Sequence, residues 1–369
     1  MRLSGGSFAQ TLSLDTGLSI PAVFQQKLIP SLNGLRAVAI AFVLFDHIRY
    51  GLNCPPFIYG VNEYLPFGSF GVQIFFVISG FLITGLLLKE KVQTGAINLK
   101  KFYLRRITRI FPAFYFYIII ILILKYIHVA SVNDKAVIAS SLFVSNVGRY
   151  YNAWLVGHTW SLSVEEQFYL CWPLLLVFLP RKYYFLIIAA VVYTVFYYYM
   201  RYYHPLFVLR FFLLLAPALL SGSLLAIALY KGWLKKAHRI LMHPVFAFSL
   251  VFAMLIYLPR TFGVAPYLYT PFDYILSSIF IAIFTYYTVH CDPGKILYKA
   301  LNFVAISYIG VLSYSIYLWQ EFFFASSDNF YIHPYWTAFP LNIILLFMVA
   351  FISYNLIEKP FLTLKKHFQ

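Results

Sequence analysis

The chain has 369 residues, 62% of them hydrophobic and only 11% charged, with a mean hydropathy of +0.78. A soluble domain carries about a quarter charged residues, so a water-soluble globular protein is excluded. The net charge of +16 sits mostly between apolar runs, where membrane orientation accounts for it. No basic stripe interleaved with aromatics forms a face for nucleic acid, so that partner is excluded too.

Apolar runs near the ~20 residues that span a bilayer predict an all-α polytopic membrane protein of about ten transmembrane helices. The first thirty residues are polar or mixed and lack a signal-peptide pattern, so the first span is expected to direct insertion itself. The expected spans are Leu35 to Arg49, Gly68 to Leu88, Phe111 to Ile127, Ser161 to Leu179 and Tyr183 to Met200. They continue as Phe207 to Tyr230, Leu241 to Leu258, Phe272 to His290, Phe303 to Phe324 and Phe339 to Ile357. A short apolar stretch near Ala136 to Phe143 reads as peripheral or re-entrant.

Loop charges orient the chain. Lys89, Lys91, Lys100, Lys101, Arg105, Arg106 and Arg109 fall between spans two and three; Arg181 and Lys182 follow span four. Lys231, Lys235, Lys236 and Arg239 follow span six, Lys295 and Lys299 follow span eight, and Lys359, Lys365 and Lys366 follow span ten. If ten spans alternate, all of these share one side, and the other holds few, such as Lys135, Arg149, Arg201 and Arg260. The positive-inside rule then puts both termini in the cytoplasm. The expected organisation is a cytoplasmic segment (1–30), one transmembrane domain (31–361) and a short basic tail (362–369), with no appended soluble domain.

The first span carries Arg36 and His47. Eleven helical steps are close to three turns, so the two side chains share a face about 16 Å apart along the axis at about 1.5 Å per residue. Ionisable groups at such depth usually face a protein interior or a water-filled path. The spacing suits a site that grips an anion at the arginine and does proton chemistry at the histidine.

Span two contains Gly71-Val72-Gln73-Ile74-Phe75-Phe76-Val77-Ile78-Ser79-Gly80-Phe81-Leu82-Ile83-Thr84. Small Gly71, Ser79 and Gly80 let either another helix or a ligand approach the backbone. Next, in Arg105-Arg106-Ile107-Thr108-Arg109, arginines three and four apart share a helix face and can hold phosphates bidentately. Such a cluster also serves as a topology anchor beside anionic lipid. In His158-Thr159-Trp160-Ser161-Leu162-Ser163-Val164-Glu165-Glu166-Gln167-Phe168-Tyr169, the two carboxylates either suit a helix N-terminus or orient a substrate hydroxyl, a histidine or an arginine. Ser313, Ser315, Gln320 and Glu321 inside span nine imply an internal polar cavity. Tyr317 and Trp319 in the same span also fit an interfacial belt. Ile357-Glu358-Lys359-Pro360-Phe361 reads as a helix stopping at the cytoplasmic surface, ended by Pro360.

Cys54, Cys171 and Cys291 lie too far apart to suggest a metal or disulfide framework, and the scattered histidines offer no metal site. His128, His204 and His290 fall near expected span ends, as interfacial residues do.

Together these stretches resemble the acyltransferase-3 family, membrane acyltransferases that O-acetylate sugars and related acceptors. The resemblance runs from about Ile29 to Phe361. It rests on Arg36 and His47 with ten intervening residues, the Gly71–Thr84 stretch, Arg105–Arg109, Trp160–Glu165, and Ser313-Tyr314-Ser315-Ile316-Tyr317-Leu318-Trp319, in the family's order. It implies a ten-helix domain in the bacterial inner membrane that takes an acyl group, usually acetyl, from cytoplasmic acyl-CoA to a hydroxyl of a glycan, such as lipopolysaccharide or another cell-envelope polysaccharide. The implied catalytic residues are His47, as general base or transient acyl carrier, and Glu165. Arg36, Arg105, Arg106 and Arg109 are implied to hold CoA, and Ser79, Gly80, Trp160, Ser161, Tyr317, Trp319 and Gln320 to line the substrate site. The chain departs from the family at Gln320, often histidine, and at Asp46 and Glu321. Some relatives carry an extracytoplasmic esterase-like domain, which this sequence is expected to lack. The rival reading is a transporter or flippase, compatible with buried charges and broken polar helices; no inverted repeat supports it.

Overall fold

A computed structural model of the chain describes residues 18–26, 28–64, 66–147, 153–178, 207–258 and 270–364. The expected fifth span, the basic residues Arg149, Arg181, Lys182, Arg201, Arg260, Lys365 and Lys366, and His204 lie outside the described residues. The principal helices are α1 (Leu32–His47), α2 (Phe67–Thr94), α3 (Leu99–Tyr126) and α4 (Thr159–Phe178). They are followed by α5 (Phe207–Tyr230), α6 (Thr270–Val289), α7 (Val304–Phe323) and α8 (Leu341–Ser353). Among the described residues there is no strand, only two isolated bridges, Leu52 to Ala338 and Ala130 to Phe330. Three helical stretches are long and apolar enough to cross a bilayer: Phe67–Thr94, Leu99–Tyr126 and Leu341–Leu364.

Local chemistry sets the helix ends. Gly95 closes α2 in the left-handed conformation at φ 80°, returning its N–H to the Lys91 carbonyl; glycine takes this conformation without a Cβ penalty. Asn98 then caps α3, its side chain accepting from the Lys101 N–H. The third helix therefore begins twelve residues before the expected Phe111, and the arginine cluster is helical rather than a loop. The expected seventh span is broken: His243 is extended at ψ 137° before Pro244, a 3-10 turn runs Pro244–Phe248, and a short helix follows at Ser249–Leu255. Proline removes a donor and pushes the residue before it out of the helical region. At the far end, Pro360 does not stop the helix. A π-helical turn at Tyr354–Glu358 leads into Lys359–Leu364, with Pro360 in its first turn, where a missing N–H costs little. Glu358 is buried and accepts from Ser315 on α7, so it is not a surface residue.

α2 is the hub. Of its most apolar window, 78% is buried inside the protein, against 33% for α3 and 28% for the last helix, which leave more surface for lipid. Gln73 shows how the hub is tied. Its buried amide donates to the Tyr274 carbonyl (2.8 Å) and to Ser277 and Ser278 of α6, and accepts from the Tyr257 hydroxyl at 2.9 Å. Leaving such a group unpaired in a low-dielectric interior costs about 1–3 kcal/mol, so the network holds α6 in place. Against α5 the contact is backbone to backbone: a Cβ on Gly80 would strike the Leu219 carbonyl, and one on Gly222 would strike that of Val77. Close approach of this kind is how small residues join membrane helices. Gly80→Leu is therefore expected to destabilise the fold by roughly 3 kcal/mol, the upper end of overpacking costs. A thermal melt in detergent reads this, and an unchanged melting temperature would refute the contact.

At the start of α1, Ser31 and Asn302 clamp each other: the Ser31 N–H donates to Asn302 Oδ1 and Asn302 Nδ2 donates to Ser31 Oγ, both at 2.9 Å. This fixes α1 beside α7. Both helices carry polar faces, and their packing creates the site.

Candidate active site

Helical spacing assembles one cavity from five helices. On α2, Val72, Phe75, Phe76, Ser79, Leu82 and Ile83 recur at three- and four-residue steps, a single helical stripe. Ser161, Glu165 and Tyr169 do the same on α4, Arg106 and Arg109 on α3, and Ser313 and Tyr317 on α7. α1 adds Arg36. The cavity encloses about 820 Å³ of unfilled space, counting its open mouth.

Its charge is unbalanced. Three guanidiniums, Arg36, Arg106 and Arg109, face it with one carboxylate, Glu165. None of the three lies within 4.0 Å of a carboxylate oxygen among the described residues. Glu165 is instead held by hydroxyls: Ser79 and Tyr169 both donate to its Oε1. Among the described residues Arg36 donates only to Asn33 Oδ1, at 3.3 Å. Arg106 lies over the rings of Tyr169 and Phe102, at 5.0 and 5.6 Å from their centroids. Cation–π contacts contribute about 0.5–2 kcal/mol and leave the guanidinium edge open to a ligand. Like charges brought together in a partly buried cavity repel one another. A multivalent anion relieves that repulsion, and planar guanidiniums hold phosphate oxygens in pairs.

A second polar group lies behind this cavity. Tyr317 is the partition: its hydroxyl donates to the His158 carbonyl at 3.0 Å and meets Ser161 Oγ at 2.5 Å on the cavity side. Behind it the His158 ring is buried, with Nδ1 2.7 Å from Glu321 Oε2. The His158 backbone N–H donates to the same oxygen at 3.1 Å, and Trp154 Nε1 donates to the Glu321 carbonyl at 2.8 Å. His47 stands edge-on to the Trp154 ring at 5.7 Å. Its titratable neighbours are Glu321, Asp46 and His158. Asp46 is engaged by Arg49 at 3.0 Å.

The expected site residues thus divide. Arg36, Arg106, Arg109, Ser79, Ser161, Glu165 and Tyr317 line one cavity. Arg105 points elsewhere and pairs with Glu90 at 3.0 Å, because one helical step turns it about 100° from Arg106. Gly80 packs against α5 instead of lining the cavity. Trp160 is absent from the lining. His47 belongs to the second group, and Gln320, next to Glu321, has both amide atoms buried without partners. Trp319 packs edge-on against Tyr117 at 5.2 Å, and its Nε1 has no partner. The pairing of His158 with Glu321 joins residues 163 positions apart and is not among the expectations from sequence. The available signal was an acid inside an apolar span, Glu321, with nothing local to neutralise it. Among the described residues no cluster of three or more His, Cys, Asp or Glu could hold a metal.

Residues 29–357 match the acyltransferase-3 family model, described as an acyltransferase domain. The chain belongs to the acyltransferase-3 family. Its relatives include O-acetyltransferase OatA of Staphylococcus aureus strain NCTC 8325, 29% identical over 92% of this chain and 58% of that protein. A putative O-acetyltransferase of S. aureus strain COL is 36% identical over 42% of this chain and 26% of its own length. The chain therefore spans little more than half of OatA and about a quarter of the second relative. No solved structure matches. Within this acyltransferase-3 chain, the family match covers the residues of both the arginine cavity and the histidine group.

Proposed function

We propose that the chain is a membrane O-acyltransferase that moves an acyl group, acetyl in the first instance, from cytoplasmic acyl-CoA to a hydroxyl of a sugar-containing acceptor. The observation that carries this reading is the cavity in which Arg36, Arg106 and Arg109 face one carboxylate. Its excess of positive charge suits the phosphates of CoA. Family membership and the O-acetyltransferase relatives support acyl transfer as the chemistry.

In this reading the three arginines hold the CoA phosphates at the inner face of a ten-span domain with both termini in the cytoplasm. The basic loops support that orientation. Glu165, fixed by Ser79 and Tyr169, keeps the guanidiniums turned into the cavity. The pantetheine arm runs along α1 towards His47, about 16 Å from Arg36 at about 1.5 Å per residue. His47 accepts the acceptor's O–H proton while the oxygen bonds to the thioester carbonyl carbon. The C–S bond breaks, and the thiolate takes the proton from His47. The acceptor is a cell-envelope glycan, and the membrane is the bacterial plasma membrane.

Purified protein in nanodiscs, given acetyl-CoA and extracted envelope glycan, is expected to release CoA and add an acetyl mass to the glycan. A transporter or flippase would release none. Absence of both CoA release and the mass shift, in vitro and in expressing cells, would refute the reading.

A further inference from the structure

Among the described residues, two buried imidazole nitrogens have no hydrogen-bond partner: His47 Nδ1 and His158 Nε2. They belong to one group: the His47 ring stands 5.7 Å from that of Trp154, whose Nε1 donates to the carbonyl of Glu321, the partner of His158, and Gln320 is the amide that faces His47. Such atoms are rare in folded interiors, and each asks for an explanation. The geometry around His158 supplies part of it. Its Nδ1 lies 2.7 Å from Glu321 Oε2, and its own backbone N–H donates to that same oxygen at 3.1 Å. In the tautomer that donates from Nδ1 to this carboxylate, the lone pair lies on Nε2. His158 is 2% exposed and Glu321 5%, so both groups lie away from bulk water.

We propose that Glu321 and His158 are a positioning pair for His47, acting through one hydroxyl group held between His158 Nε2 and His47 Nδ1. That hydroxyl belongs to a bound water or to a second hydroxyl of the acceptor. It donates to His158 Nε2, which can only accept. It then accepts from His47 Nδ1–H. With its proton on Nδ1, His47 presents its lone pair at Nε2, the nitrogen that takes the acceptor proton. Gln320, buried with both amide atoms unpartnered, sits next in chain to Glu321 and offers further donors and acceptors there. His158 and Glu321 end the cycle with the protons they began with. A carboxylate holding one histidine so that it orients another group follows the logic by which outer partners fix ligating histidines.

The proposal rests on the acyl-transfer reading, and its test separates the two. The double variant His158→Phe with Glu321→Gln keeps the ring packing against Tyr117 and Tyr317 and keeps an oxygen for the residue-158 backbone N–H. It buries no unpaired charge. Wild type, His47→Ala and the double variant are compared in nanodiscs for acetyl-CoA turnover, CoA affinity and melting temperature. The expected result is a kcat about 10- to 100-fold lower in the double variant, as for other orienting partners, with KM for acetyl-CoA, CoA affinity and melting temperature unchanged. A double variant with full kcat beside an inactive His47→Ala would overturn the positioning pair alone. Parallel loss of kcat, CoA affinity and stability would assign the pair to structure and overturn it as well. A wild type that turns over no acetyl-CoA would remove the acyl-transfer reading and this inference with it.

Discussion

Replacing His47 by alanine is expected to lower acetyl-CoA turnover by about three orders of magnitude, within the range for a general base. CoA affinity should not change. The cavity that carries the three arginines does not include His47, so removing the ring takes nothing from the anion site. The fold should also survive. Among the described residues His47 forms no ion pair, and the neighbouring acid Asp46 keeps its pair with Arg49. Calorimetric binding of CoA beside a turnover assay reads both halves. Activity within tenfold of wild type in a folded His47→Ala protein would remove His47 from the chemistry. Loss of CoA binding would instead place the donor's phosphates near His47 and overturn the division of labour along α1.

Alanine at Arg106 should act in the opposite way, raising KM for acetyl-CoA while leaving kcat at saturation nearly intact. A hydrogen bond to a charged group contributes about 1.5–3 kcal/mol, which is about tenfold to a hundredfold in affinity. Arg36→Ala and Arg109→Ala should behave alike. Arg105→Ala is the informative control. It lies in the same basic run but pairs with Glu90 outside the cavity, and partly exposed pairs of this kind contribute about 0–1 kcal/mol. Its KM should stay within about threefold of wild type. Equal effects at Arg105 and Arg106 would mean that the run acts as a diffuse basic surface towards lipid, not as a shaped anion site. Steady-state kinetics of the four single variants at one ionic strength decides between these outcomes.

The linear pattern of residues determined the class of this protein and much of the lining of its cavity. An apolar fraction of 62% with 11% charge leaves helices as the economical way to satisfy a backbone in lipid. The i, i+3 and i+4 spacing within a helix is local, so the shared face of Arg106 and Arg109 and that of Ser161 and Glu165 could be read directly. The same local rule places Arg105 off the Arg106 face, although a basic run read as a cluster hides this. What a segment's own residues cannot fix is which faces meet. Whether Gly80 admits a ligand or a helix depended on α5 lying against it. Tertiary contacts also overrode the expected stop at Pro360, because a π-helical turn and the Ser315–Glu358 contact carry the last helix past it. The separation of an arginine cavity from a histidine group, with Tyr317 between them, is likewise a product of packing. So is the pairing of His158 with Glu321 across 163 positions. Buried polar groups must find partners wherever the fold brings them, and distance in space, not in sequence, decides which partner each one finds.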